Sequence, residues 1–443
     1  MTRSLRYIVV AYHYPPDPAV GSLRARNVAR ALAEAGHEVH VVSVALPDTA
    51  ADTQEGAIHV RRVEPAMSLR DLLSRLKRLT SRRKPAAISS GGAVAPAPGA
   101  AWKGPDQVST LRRWLGALTW LPDDRQGFII PAARAAASLM HGDGRDVLYT
   151  TAPPFSDHLV GLLLRRRRAF RWIIEYRDPW TDSSKPWFVQ SRLVDKVDRW
   201  AERRCLALSD GVVTVTSSFA EVLVRRLGAS VSEKLIVVRN GIPRMLPAAG
   251  SDRGTYLIVY AGSFYLHRDP KPFLAALAAV HGRAGAAPRR LDVRLVGDCR
   301  FFDGEPIEPE IERLGLTDVV TFVDWLPHQA TIELMQRADL LLLLAQAQPL
   351  SVPNKLYEYV GMGKPVFAAA DEQGETALLL REIGGHYVVG ATDGPEVIER
   401  ALTEAMATSD APRPTSPALA ALATDAQMQL LTEWLDRRLG TAS

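Results

Sequence analysis

An α/β fold of two doubly wound parallel-sheet halves is predicted by three features of this chain. Short apolar runs alternate with longer helical patterns along almost all of it. The runs form two series, parted by a Pro- and Gly-rich stretch from Gly241 to Gly254 where periodicity stops. The length, 443 residues, is more than one hydrophobic core accommodates.

Arg6 to Ala11 reads as a buried strand, followed by a turn and a helix from about Ser22 to Ala35. Gly36 closes that helix, since glycine tolerates the left-handed terminal position. Val39 to Val44 is the next strand. Val147 to Thr150, Trp172 to Tyr176 and Gly211 to Val215 follow, each with a helical pattern behind it. The second series runs through Tyr256–Ala261, Val293–Val296, Val319–Phe322, Leu340–Leu344 and Pro365–Ala369. Continuously apolar strands are those of parallel sheets covered by helices on both faces. The predicted organisation is residues 1–245, residues 246–410, and a tail, 411–443. The tail's long helical pattern, with Met428, Leu431, Trp434 and Leu435 on one side, is expected to pack back across both halves. An insertion over about 80–104 is Ala, Pro, Gly and Ser, too poor in large apolar residues to order itself.

Composition narrows the function. Two cysteines, Cys205 and Cys299, make no disulfide framework and have no metal-ligand spacing. No signal peptide is visible, and the longest aliphatic run, Leu340 to Leu344, is far short of a membrane span. The chain is therefore expected to be cytoplasmic, with a peripheral station on the inner face of the cell membrane as the finer expectation. Residues 1–245 carry 37 Lys+Arg against 23 Asp+Glu; residues 246–443 carry 17 against 26. A basic first half suits an anionic membrane surface or a phosphorylated acceptor. No nucleic-acid module accompanies the charge, so nucleic acid is ranked last. Met67 to Lys84 sets Leu69, Leu72, Leu73 and Leu76 at helical spacing beside a basic run. It reads as an ordinary surface helix whose basic end suits its own C-terminus, or as an interfacial helix on an anionic bilayer. Leu111 to Leu121, with Trp114 and Trp120, is a second candidate membrane contact. Arg165 to Arg168 reads as a solvated helix end.

In open parallel sheets ligands bind beyond the carboxyl ends of the strands, so the residues just after each strand are the site candidates. Gly21 and Ser22 follow the first strand; glycine admits a close backbone approach and the helix start offers free N–H groups to an anion. The strict G-x-G-x-x-G of dinucleotide enzymes is absent, which removes most support for a dehydrogenase. Asp178 follows the Trp172 strand, where a carboxylate takes a proton or steadies positive charge. An ion pair with Arg177 is the plain alternative. In the second half, Gly262 and Arg268 follow one strand and Gly297 another. Lys355 and Glu358 lie three residues apart, on one face near a helix start. A cation with a helix N-terminus suits a diphosphate, and a carboxylate one turn on suits two ribose hydroxyls.

Read in order, these stretches resemble the GT-B glycosyltransferases, in particular family 4, the retaining enzymes of bacterial polysaccharide and lipid-linked sugar assembly. The stretches are Tyr14-Pro15-Pro16 with Gly21-Ser22, Tyr149 to Pro154, Tyr176 to Trp180, Arg239 to Ile242, Leu295 to Asp298, and Pro353 to Glu358 with Gly363 to Pro365. The resemblance implies two Rossmann-like domains facing a cleft, with a C-terminal helix crossing back. It implies that Glu358 takes the ribose, Lys355 and Arg268 the diphosphate, and the Gly297 loop part of the nucleotide. Gly21-Ser22 would face the phosphate and sugar, and Asp178 stands where many relatives place a catalytic-face histidine. Reaction on one face of the sugar, the leaving phosphate helping to deprotonate the acceptor, is implied as well. Three departures stand out. Leu350 occupies the first position of the family's E-x7-E, Ser263 stands in place of a common arginine, and no Asp-x-Asp is present. No metal and no cofactor beyond the nucleoside-diphosphate sugar is therefore expected.

The expected function is sugar transfer from a nucleotide-sugar to a lipid-linked or polysaccharide precursor. The alternatives are a soluble natural-product acceptor, or a non-catalytic or epimerase protein of the same fold.

Overall fold

The computed structural model describes residues 4–67, 120–181, 192–246, 254–265, 267–283, 289–408 and 417–440. The expected insertion, nearly all of the Met67–Lys84 pattern and Trp114 lie outside them.

The chain divides into two compact units. The first comprises Met1–Val215, Ala220–Val238 and Met428–Ser443. Its sheet is built from β1 (Arg6–Val10), β2 (Glu38–Val44), β3 (Asp52–Glu55), β4 (Ile58–Val63), β5 (Asp146–Ala152), β6 (Arg171–Tyr176), β7 (Gly211–Thr214) and β8 (Leu235–Val237). The strand order is β3-β4-β2-β1-β5-β6-β7-β8. Every pair is parallel except β3–β4, a hairpin. That hairpin and β8 carry no long apolar run, so pattern reading passed over them. Helices α1 (Val20–Glu34), α2 (Ile129–Leu139), α3 (Ser156–Leu164), α4 (Arg192–Leu208), α5 (Ser217–Leu227) and α6 (Ala229–Ser232) connect them. Helix α1 starts at Val20, not Ser22, so Gly21 and Ser22 lie inside its first turn.

The second unit comprises Thr216–Phe219 and Arg239–Gln427. Residues 239–245 fall in it because Ile242 bridges Ala423 and its N–H donates to the Leu422 carbonyl at 2.6 Å. The sheet order is β13-β10-β9-β14-β15-β16. These are β9 (Thr255–Ala261), β10 (Arg290–Val296), β13 (Val320–Val323), β14 (Leu340–Ala345), β15 (Val366–Ala370) and β16 (Tyr387–Gly390), all parallel. A small hairpin, β11 (Phe301–Phe302) and β12 (Glu305–Pro306), stands apart. The helices are α7 (Lys271–Gly282), α8 (Glu308–Arg313), α9 (His328–Arg337), α10 (Asn354–Gly361), α11 (Glu375–Ile383), α12 (Pro395–Ala407) and α13 (Pro417–Ala421).

The leucine run of β14 shows why such strands are uniformly apolar. Leu340, Leu342 and Leu344 enter one core layer; Leu341, Leu343 and Ala345 enter the other. With period-two alternation and both faces covered, no polar position remains.

Helix α14 (Thr424–Leu439) leaves the second unit after Gln427. From Met428 on, it buries Met428, Leu431, Leu435 and Leu439 in the core of the first unit, with Val9, Ile173 and Val213. Gly211 makes room for it: a Cβ there would meet the Trp434 ring at 2.7 Å. Among the described residues no helix is long and apolar enough to cross a membrane.

Candidate active site

In the second unit, the chain turns sharply at the carboxyl ends of β9 and β10. Gly262 N–H donates to the Val296 carbonyl at 2.8 Å and Gly297 N–H to the Val323 carbonyl at 2.9 Å. Gly297 has φ +105°, and a Cβ on it would collide with the Gly262 carbonyl. Glycine is thus required by both backbone angle and space. Tyr359, on α10, accepts from Ala261 N–H at 3.2 Å and ties that helix to the end of β9.

The first turn of α10 places Lys355 against this turn. Its Nζ donates to the Ala261 carbonyl, occupies the space a Gly262 side chain would need, and lies 5.8 Å from the Tyr260 ring centre. Burial pushes its pKa down to about 8, and the Arg268 charge adds to the effect. The Arg268 guanidinium stacks on Tyr265, 4.3 Å from the ring centre. Its Nε is buried with no hydrogen-bond partner. Glu358, one turn along α10, is half-buried; burial raises its pKa, while His328 and Lys355 pull the other way. Lys355 and Glu358 form no ion pair with each other.

Two cations close enough to perturb each other, one with a buried orphan N–H, make a site short of negative charge. Gln346 adds a second orphan: its Nε2 donates to the Asp269 carbonyl at 2.9 Å and its Oε1 has no partner. Trp325, past the end of β13, is 73% exposed. Gln346, Trp325 and His328 were missed in the sequence, since none lies in a motif that singles it out.

In the first unit, Ser22 is buried and Gly21 faces Arg177. A Cβ on Gly21 would strike its guanidinium, whose Nη2 donates to the Pro153 carbonyl and whose Nε has no partner. Burial lowers the Arg177 pKa, while Glu175, Asp178 and Asp157 raise it. Asp178 is exposed. Protein atoms crowding its carboxyl raise the pKa, against the pull of Arg177. The pair makes no ion bridge within 4 Å, so Asp178 remains available. Beneath it, buried Glu175 accepts Arg24 Nη2 at 2.8 Å and the Thr151 hydroxyl at 2.6 Å.

Two buried groups nearby were not foreseen. Asp157 accepts Tyr12 N–H at 2.8 Å through Oδ2, and its Oδ1 has no partner; burial drives its pKa well up. His158 pairs Nδ1 with the Thr150 hydroxyl at 2.9 Å, and burial keeps it neutral. Among the described residues no group of three His, Cys, Asp or Glu is placed to hold a metal ion.

Residues 97–244 match the family model Glycosyltransferase Family 4, and residues 255–408 match Glycosyl transferases group 1. The chain is a GT-B glycosyltransferase. No curated protein matches it in sequence. Among solved structures the glycosyltransferase is similar to sucrose-phosphate synthase from Thermosynechococcus elongatus, at 17% identity, TM-score 0.64 and full coverage of both chains. It is also similar to Anabaena Alr3699/HepE, solved with UDP, at 14% identity and TM-score 0.59, covering 98% of this chain and 100% of that one. A third is WaaG, a glycosyltransferase of lipopolysaccharide biosynthesis, at 15% identity and TM-score 0.52, covering 96% and 95%. At such identities the likeness speaks for the fold; this chain's own residues must carry the substrate argument.

Proposed function

We propose that the enzyme moves a sugar from a nucleoside-diphosphate sugar to a lipid-linked or polysaccharide precursor at the cytoplasmic membrane face, with retention and without a metal. The observation that carries the donor side is the Lys355–Arg268 pair at the Gly262 and Gly297 turns, with its orphaned Arg268 Nε. A diphosphate supplies the missing negative charge, and the N–H groups at the start of α10 add to the attraction. Glu358 accepts from the ribose hydroxyls. Trp325 offers a flat face to the base. The likeness to HepE, solved with UDP and with UDP-glucose, supports a nucleotide-sugar donor.

In the transfer, the bond from the anomeric carbon to the diphosphate breaks. The acceptor oxygen bonds to that carbon on the same face, and its proton passes to the leaving diphosphate. Asp178 steadies the positive charge on the ring or orients the acceptor hydroxyl. Gly21 and Ser22 are assigned to the donor's phosphate and sugar side, the space beside Gly21 being held by the Arg177 guanidinium.

A thermal-shift panel of UDP, GDP, ADP, TDP and CMP tests the donor site. A ligand at 100 times its dissociation constant stabilises by about 2.7 kcal/mol. One nucleoside diphosphate is expected to shift the wild type, and Glu358→Ala is expected to weaken that ligand by roughly 10- to 100-fold. A Glu358→Ala variant that binds as tightly as the wild type would refute the ribose assignment. Asp178→Asn is expected to lower kcat by about 10²–10⁴-fold and leave the nucleotide dissociation constant unchanged. An unchanged kcat would remove Asp178 from the chemistry.

A further inference from the structure

Helix α4 sorts its charges by face. Asp198 and Glu202 point inward and are 1% exposed. Glu202 is held there by Arg226 at 2.8 Å and the Thr181 hydroxyl at 2.9 Å. Asp195 is half-buried. Arg192, Lys196, Arg199, Arg203 and Arg204 all point outward, and none pairs with an acid among the described residues. Leu193, Trp200 and Ala207 recur at seven-residue intervals, one line along the outer face, with Arg204 on one side of it and Arg192, Lys196, Arg199 and Arg203 on the other. Leu193 is 48% and Trp200 56% exposed. At the helix's carboxyl end, Arg165 reaches Asp210 at 3.3 Å, which brings the exposed Arg166, Arg167 and Arg168 alongside.

We infer that this outer face of α4, with the Arg166–Arg168 run, seats the enzyme on an anionic lipid surface. The cations meet the headgroup phosphates, and Trp200 and Leu193 enter the interface beneath them. An apolar line edged by long cationic side chains fits a layered surface, polar above and apolar below. A uniformly polar acidic partner offers no layer for a tryptophan and a leucine. The inference deepens the membrane-face part of the proposed function, since it places the contact on a helix that the sequence did not single out for it.

The test is co-sedimentation of the full chain with phosphatidylglycerol-rich vesicles and with pure phosphatidylcholine vesicles. The wild type is expected on the anionic vesicles only, and less so as salt rises. Joint replacement Lys196→Glu, Arg199→Glu, Arg203→Glu is expected to cost roughly 100-fold or more in partition coefficient, at about fivefold per cation removed. Trp200→Ala is expected to cost about tenfold. Every variant must keep the wild-type melting temperature, which shows that each folds whether or not it binds nucleotide and separates this test from that of the donor site. Vesicle binding unchanged in both variants would overturn the inference, as would wild-type binding indifferent to phosphatidylglycerol. Vesicle binding that depends on α4 in a protein that binds no nucleotide would uphold it while removing the donor reading.

Discussion

Lys355→Met is expected to weaken the nucleotide-sugar by roughly 10- to 150-fold and at the same time to make the unliganded protein more stable. Both effects have one origin. Lys355 is half-buried beside Arg268, and holding its charge there costs energy; loss of solvent and Arg268 push its pKa from 10.5 down to about 8. That shift corresponds to destabilisation on the order of 3 kcal/mol at neutral pH. Methionine keeps the volume and removes the charge, so the melting temperature should rise by a few degrees. The pH dependence follows. Between about 8 and 10.5 the unfolded chain keeps a proton that the folded site has released. Wild-type stability therefore climbs with pH through that window, and the advantage of the variant fades. Donor binding runs the opposite way: the diphosphate selects the protonated lysine, so affinity should be flat below about pH 8 and fall above it. Calorimetric titration across pH with an intact nucleotide-sugar checks this, because its diphosphate bears no titrating proton there. A flat profile in wild type and variant alike would take Lys355 out of the donor site.

Glu175→Ala is expected to cost about 3–5 kcal/mol of stability, measured by denaturant unfolding. Glu175 is fully buried on β6 and accepts Arg24 at 2.8 Å and Thr151 at 2.6 Å. Truncation leaves the Arg24 guanidinium, 5% exposed, without its counter-charge. Burial pushes the Glu175 pKa up, but Arg24 and Thr151 outweigh it and the net shift is downward. Its contribution is therefore complete at neutral pH and is lost as pH falls through the unfolded carboxylate value to the depressed folded one. The double replacement Arg24→Met, Glu175→Leu should recover most of the loss, since an apolar pair of similar volume needs no partner. A double variant as unstable as Glu175→Ala would mean that shape, not charge, governs this site.

The donor-side residues show how far local sequence reaches. Lys355 and Glu358 share a helix face by spacing alone, and the helix start follows from the strand and loop before it. Gly262 and Gly297 stood out because each follows an apolar strand. What local sequence lacks is distance. Lys355 donates to a carbonyl 94 positions away, and its coupling to Arg268 exists because β9 and α10 converge. Asp157 takes the Tyr12 N–H across 145 positions. No motif announces such a pair, and the start of α1 was misplaced because Ala19 caps without a side-chain bond.

By itself, then, the sequence determined the two parallel sheets and the strand ends where chemistry gathers. Hydrophobic period and turn residues are local properties, legible within a dozen positions. The tertiary structure alone decided which charges go unpaid: the orphaned Arg268 Nε, the suppressed Lys355, and the cations of α4 turned outward while its acids turned in. Burial and partnership depend on what other segments bring, and electrostatic cost is set there rather than in the order of residues.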